Sequence, residues 1–191
     1  ITYDNQNRYF TKTVWAKLID RSCVLERLFD DGRIFEDNPV VPQWLHSAAY
    51  VAYSDSPLYF YFHNNEGIVR KKYTIEQLDN VWAKRKRFEF FRDNNYPRMA
   101  QHALNEFVYA TAVAYSRTIK ELNDKNTARK VKLEFLQVYA RNFRSARLDR
   151  KERFAVFECF HPSMANMYYL SKVIRNKVNN LLKLLVRRKY K

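Results

Sequence analysis

Phe29-Asp30-Asp31-Gly32-Arg33-Ile34-Phe35-Glu36-Asp37 runs directly into Asn38-Pro39, and the reading of this junction decides what is built around it. Asp31-Gly32 is a turn signal, and Arg33-Ile34-Phe35 reads as a short extended piece leaving the turn. Asn38 suits an N-cap and Pro39 the first turn of a helix. Glu36 and Asp37 therefore fall where unpaired backbone N–H groups and the positive end of the helix dipole favour negative charge. On that reading both carboxylates stay ionised at neutral pH. A fixed carboxylate within hydrogen-bond reach of an alcohol can take its proton as a general base. The plainer alternative is that the two acids only favour the helix start, where acids are enriched.

Working outward, residues 13 to 19 read as a short helix with Val14, Trp15 and Leu18 on one apolar side and Lys17 on another face. Residues 38 to 48 continue the helix that Asn38 opens, carrying Val41, Trp44 and Leu45. Residues 49 to 53 and 58 to 63 are rich in aromatic and apolar side chains and flank a Ser54-Asp55-Ser56-Pro57 turn, which predicts a small β-hairpin. In its second arm Tyr59, Tyr61 and His63 point the same way.

Beyond residue 73 the period changes to that of helices. Thr74 and Gln77 have capping-box spacing, and Ile75, Leu78, Val81 and Trp82 predict a helix to about residue 92. Two more amphipathic helices are expected over 97–122, through Leu104, Phe107, Val108, Tyr115 and Ile119, and over 127–146, through Val131, Phe135, Leu136, Tyr139 and Phe143. Together they make a helical bundle. The run Lys84-Arg85-Lys86-Arg87 reads as a solvated face, with contact to phosphate or anionic lipid as the alternative. From residue 163 the chain again reads as helix, and beyond Ser171 it holds no acid. Lys183, Arg187, Arg188 and Lys189 with the leucines between them fit a basic amphipathic helix on anionic lipid, or a last helix docked on the bundle.

Composition narrows the chemistry. The chain of 191 residues has 35 Lys and Arg against 20 Asp and Glu, a formal net charge of +15, which points to an anionic partner. It has only two glycines, Gly32 and Gly67, so neither a Walker loop nor a Gly-x-Gly-x-x-Gly turn can be written. A nucleotide's phosphates have no backbone cradle in such a chain. Cys23 and Cys159 lack Cys-x-x-Cys spacing and the four histidines share no ligand pattern, so no metal site is expected. Isolated cysteines and the absence of any apolar run of about 20 residues suggest a cytoplasmic protein.

The ordered set Trp15-x-Lys17-Leu18, an aromatic residue before an acidic-Gly turn, Glu36-Asp37 and Pro57-Leu58-Tyr59-x-Tyr61 resembles the carboxyl-terminal half of bacterial family 2 (GT-A type) glycosyltransferases of surface-polysaccharide synthesis. The resemblance covers roughly residues 10 to 75. It implies an inverting transfer from a nucleotide sugar to a glycan or lipid-linked acceptor, with Asp37 as general base. It also implies an acceptor site that draws on Trp15, Lys17, Glu36, Tyr59, Tyr61 and His63. His63 stands where the family has another basic residue and Gly67 where serine is common, so Arg70 or Lys71 could supply the phosphate contact. Trp15 and Tyr59 have a competing reading as core residues.

The implied fold is mainly α with a small β-hairpin. The end of a GT-A α/β domain occupies residues 1–72, a helical bundle 73–160 and the basic amphipathic helix 161–191. The implied divalent metal, Mg or Mn, has its ligands mainly in an N-terminal nucleotide-binding half. That half precedes the residues seen here, and the chain alone is expected to be inactive. The enzyme would act on the cytoplasmic side, peripherally at the inner face of the cell membrane. The rival reading is a non-enzymatic basic helical module that binds nucleic acid or an anionic membrane. No nucleic-acid motif is present, and the basic residues are spread over several segments.

Overall fold

The computed structural model describes residues 12–54, 56–62, 72–142, 147–164, 167 and 171. It divides after Leu148 into two compact units, residues 1–148 and 149–191. The protein is mainly helical, and the described residues contain no β-strand.

The first unit is built on three consecutive helices, α3 (Asp79–Asp93), α4 (Pro97–Glu121) and α5 (Lys125–Asn142), with α4 packed against both others. In the order of the chain they follow α1 (Arg21–Glu26) and α2 (Asp37–Ser47). The periodic apolar residues form the core. Val81, Phe88 and Phe91 of α3 are buried with Leu104, Phe107 and Val108 of α4 and with Val131 and Phe135 of α5. Leu136, expected on the same face, is exposed, as is Ile75 at the start of the α3 segment. Thr74 makes no capping-box bond. Residues Ile75–Leu78 form a 3-10 turn that feeds into α3.

Asparagine supplies the breaks between these helices. After α3, Asn95 takes a left-handed φ of 59°. Its N–H then bonds the Arg92 carbonyl at 3.2 Å, while the Tyr96 N–H bonds that of Phe91 at 2.9 Å. This is the Schellman arrangement that satisfies the last carbonyls of a helix. After α4, Asn123 is again left-handed, and the next residue, Asp124, accepts the Thr127 N–H at 3.0 Å to begin α5.

The described residues between 12 and 62 hold α1 and α2, with the rest irregular. The helix expected over 13–19 is displaced to α1. Asp20 accepts the Ser22 N–H at 2.8 Å and so caps a helix that begins after it. Leu18, expected on an apolar side, is fully exposed. Helix α2 begins at Asp37, with Glu36 as its N-cap. Asn38 thus lies inside the helix and is buried. A small core of Cys23, Val40, Val41 and Trp44 joins α1 to α2, and the Trp44 indole donates to the Arg27 carbonyl at 2.8 Å. Helix α2 then packs on α3.

The small β-hairpin, and with it a GT-A α/β layer over 1–72, is corrected by the described residues. Every described residue from 49 to 62 is exposed and without strand structure. Tyr50 is 94% and Phe60 85% accessible. Strand-forming composition needs a neighbouring strand for the backbone and a packed face for the side chains, and a lone two-stranded ribbon is marginal in water.

The second unit contains α6 (Arg150–Phe160), which the sequence reading passed over. Its signal was present as Asp149-Arg150-Lys151-Glu152. The Asp149 carboxylate accepts the Glu152 N–H at 2.8 Å, and the Glu152 carboxylate accepts the Asp149 N–H at 2.9 Å.

Candidate functional site

The approach to α2 is tied down from outside. Gly32 turns with φ at 75°. Arg33 then meets Asp79 at 2.5 Å and lies over the Trp82 ring at 4.7 Å, while the Ile34 N–H donates to the same Asp79 carboxylate at 3.2 Å. Phe35 follows with φ at 62°, a region that bulky side chains rarely adopt. The chain therefore enters α2 by a constrained path, which determines where Glu36 and Asp37 stand.

Asp37 is half-buried, and its carboxyl is pushed above the ordinary aspartate range, first by burial and then by the neighbouring Glu36. The Asn38 side chain, which donates to Asp37 Oδ1 at 3.1 Å, works in the opposite direction. Here loss of solvent is the largest influence on Asp37, and it acts against the helix end, which favours the charged form. A raised carboxyl is a better proton acceptor than an exposed aspartate.

Asn38 connects this carboxylate to α3. Lys84 Nζ donates to Asn38 Oδ1 at 3.2 Å, and Arg87 Nη1 donates to the Asn38 main-chain carbonyl at 3.3 Å. Pro42, inside α2, explains the second contact. It has no N–H to give the carbonyl four residues earlier, and Arg87 supplies the donor from another helix. Lys84 also meets Glu106 of α4 at 3.2 Å, and the other Glu106 oxygen meets Lys12.

Lys84-Arg85-Lys86-Arg87 is thus a solvated face only in part, at Arg85 and the exposed Lys86. Arg87 is fully buried and Lys84 mostly so; Arg85 pairs with Glu89 and Glu134, and Lys86 with Glu89. Burial lowers the Lys84 ammonium below the usual lysine range, with Glu106 opposing. Asn38, Lys84, Arg87 and Glu106 were not picked out from the sequence as site residues. The available signal was Pro42, which leaves a helical carbonyl in need of an outside donor.

A cleft of about 1230 Å³ is lined by Trp15, Lys17, Val41, Trp44 and Tyr59 among others. Trp15 stacks on Tyr59 with ring centroids 5.6 Å apart and an interplanar angle of 18°, and it meets Tyr61 at 5.0 Å. Three of the residues proposed for the acceptor are therefore in one aromatic cluster, although no strand orders them. Lys17 Nζ donates to the Thr13 carbonyl at 2.5 Å. Burial lowers its pKa, and the negative charge of Asp37 pushes it back up. Glu36 and Asp37 themselves do not line the cleft. His63, Arg70, Lys183, Arg187, Arg188 and Lys189 lie outside the described residues, as does the basic C-terminal helix.

Among the described residues, no group of three His, Cys, Asp or Glu side chains is placed to hold a metal ion, so the implied divalent metal has no seat among them. No helix among them is long and apolar enough to cross a membrane. No protein-family model matches the chain, and no curated protein or solved structure shows significant similarity to it. The likeness to family 2 glycosyltransferases rests on the quoted residues.

Proposed function

We propose that this chain supplies the acceptor side of an inverting glycosyltransferase resembling family 2, which moves a sugar from a nucleotide donor to a glycan or lipid-linked acceptor. The observation that carries the reading is the Trp15–Tyr59–Tyr61 cluster at the cleft. Residues more than forty positions apart meet there, and stacked aromatic faces offer the flat apolar surface on which the C–H face of a sugar ring rests. Lys17 sits in the same wall and feels the charge of Asp37.

In the reaction the acceptor hydroxyl oxygen attacks the anomeric carbon and Asp37 takes the hydroxyl proton. The bond from that carbon to the donor's diphosphate oxygen breaks, and its electron pair leaves with the nucleoside diphosphate. Donor and divalent metal are held by a nucleotide-binding part that these residues do not provide.

In an enzyme that combines this chain with such a part, Asp37→Asn abolishes transfer while donor binding persists. Undiminished turnover removes Asp37 from the role. On the chain itself, titration with oligosaccharide quenches Trp15 fluorescence, and Tyr59→Ala weakens the effect. Tight, salt-sensitive binding of an oligonucleotide with indifference to oligosaccharide favours the basic-module reading instead. The enclosure of Lys84 and Arg87 within the fold weighs against that reading.

A further inference from the structure

Asn38 stands between a carboxylate that accepts and two cations that only donate. We infer that Asn38 is the positioning residue of the Asp37 carboxylate, and that Lys84 and Arg87 of α3 hold Asn38 in place so that the helical body aims the base. The inference rests on the glycosyl-transfer reading of Asp37, and the experiment below is chosen to separate the two.

The order of donors and acceptors is what carries it. An asparagine amide can sit in two orientations that differ only in which end is oxygen. Lys84 Nζ has no acceptor capacity, so its 3.2 Å contact fixes the Asn38 oxygen toward α3. The amide nitrogen is then left facing Asp37 Oδ1 at 3.1 Å, where an ionised carboxylate accepts it. With the ends reversed, an N–H would face an ammonium and an oxygen would face a carboxylate. Lys84 thereby sets the orientation of a side chain that touches the base, without touching the base itself.

The backbone of Asn38 is held as well. Pro42 deprives its carbonyl of a helical donor, and the fully buried Arg87 takes that place at 3.3 Å. Arg87 is itself seated over the Phe91 ring at 5.1 Å, and Lys84 is tied to α4 through Glu106 at 3.2 Å. Asn38 is therefore fixed at both side chain and main chain by residues that belong to the core of the first unit. Proton transfer demands such placement, because a general base displaced by about 1 Å can lose on the order of a hundredfold in rate. Asn38 also works against the burial that raises the Asp37 pKa, so it moderates basicity while it orients the group.

The test is a carbon-13 NMR titration of the Asp37 side-chain carboxyl in this chain, comparing wild type with Asn38→Ala, Lys84→Met and Lys84→Arg. In Asn38→Ala no charge changes and the carboxyl midpoint moves to higher pH. In Lys84→Met the Asn38 side-chain amide protons exchange with water faster, by about tenfold or more on loss of the fixing bond, and Lys84→Arg, which donates but cannot accept, restores the slow exchange. An unchanged Asp37 midpoint in Asn38→Ala, or amide exchange unaffected by Lys84→Met, overturns the proposal. Should Asn38→Ala fail to fold, the two Lys84 variants decide it alone.

In a transferring enzyme, Asn38→Ala lowers kcat by about tenfold or more, with little change in the acceptor KM. A change confined to KM counts against positioning. These titrations need no substrate. If Asp37→Asn transfers sugar as well as wild type, the functional reading falls while the NMR result still reports on the positioning contact.

Discussion

Two stretches of this chain have similar appetites for burial and opposite fates. Phe107 and Val108 in α4 are completely enclosed, whereas Tyr50, Leu58 and Phe60 stand almost fully in water. The difference lies in how each stretch satisfies its backbone. A helix closes its own hydrogen bonds, so an apolar stripe needs only one complementary face, and α4 finds faces on α3 and α5. An extended segment must find another strand before its side chains can be laid on a core. Hydrophobicity by itself buries nothing; the period decides what can be buried cheaply. The entry to α2, which precedes the exposed stretch, is nevertheless joined to α3, by Arg33 and Ile34 on Asp79 and by Lys84 and Arg87 on Asn38.

The sharpest way to break this contrast is a paired truncation. Phe107→Ala costs about 3–5 kcal/mol in chemical denaturation, while Phe60→Ala stays within about 0.5 kcal/mol. Comparable losses would mean that the irregular segment is packed in solution.

A smaller effect probes the join at α2. Arg87→Met removes the donor from the Asn38 carbonyl and leaves a buried acceptor without it, at a cost of about 1–3 kcal/mol. Pro42→Ala returns an N–H to the helix, so Arg87→Met costs less in that background. The coupling measured in the double-mutant cycle is expected at about 1 kcal/mol. Strict additivity of the two changes would show that Arg87 does not replace the missing helical bond.

Acid–base behaviour separates α4 from α2, because the two helices hold carboxylates shifted in opposite senses. For Glu106, burial works against the charge, but Lys84 and Lys12 outweigh it and the carboxyl lies below its ordinary value. Its contribution to stability is present above the unfolded-state pKa, near 4.5, and is lost as pH falls through the lower folded value. Glu106→Gln therefore destabilises at neutral pH, and the difference from wild type narrows in acid.

Asp37 behaves in reverse. Its folded pKa is raised by burial and by Glu36, so its contribution is present below the unfolded-state value and is lost as pH rises through the folded one. Asp37→Asn is therefore more stable than wild type at neutral pH, and the gain fades in acid. Melting temperatures across pH for the two variants check both signs. A loss of stability in Asp37→Asn at neutral pH would show that the carboxylate is a structural group held for its charge.

The smallest expected effect concerns the cleft. Trp15→Ala removes the stack on Tyr59 and the contact with Tyr61, worth about 0.5–1.5 kcal/mol beyond area burial. A total loss of about 3–5 kcal/mol, the cost of truncating a fully packed tryptophan, would make Trp15 a core residue, as the competing sequence reading has it.

Much of the body was legible in the chain. The helix over 97–122 is realised as Pro97–Glu121, because Pro97 and Asn123 mark its two ends and Leu104, Phe107 and Val108 mark its inner face. Helix α2 was placed to within a residue or two by the same kind of punctuation. The hairpin was misread because Tyr59-Phe60-Tyr61-Phe62 has strand composition whether or not a neighbouring strand exists. Of the site, the meeting of Trp15 with Tyr59 and Tyr61 has no local signal, since all three lie in irregular segments. The role of Lys84 and Arg87 was hidden, since a run of four cations looks like a wet surface until the opposing helices and Glu106, Glu89 and Glu134 are in place.

What the amino-acid order determined unaided is local: which segments are helical, where asparagine and proline stop them, and that an acidic pair opens α2. Those outcomes depend on hydrogen bonds and apolar repeats spanning a few residues. What only the tertiary structure decided is the partial burial of Asp37, which raises its pKa, and the company it keeps. Burial and charge act through space, and the groups that bear on Asp37 and its neighbour Asn38 include Lys84 and Arg87, drawn from a helix more than forty residues away.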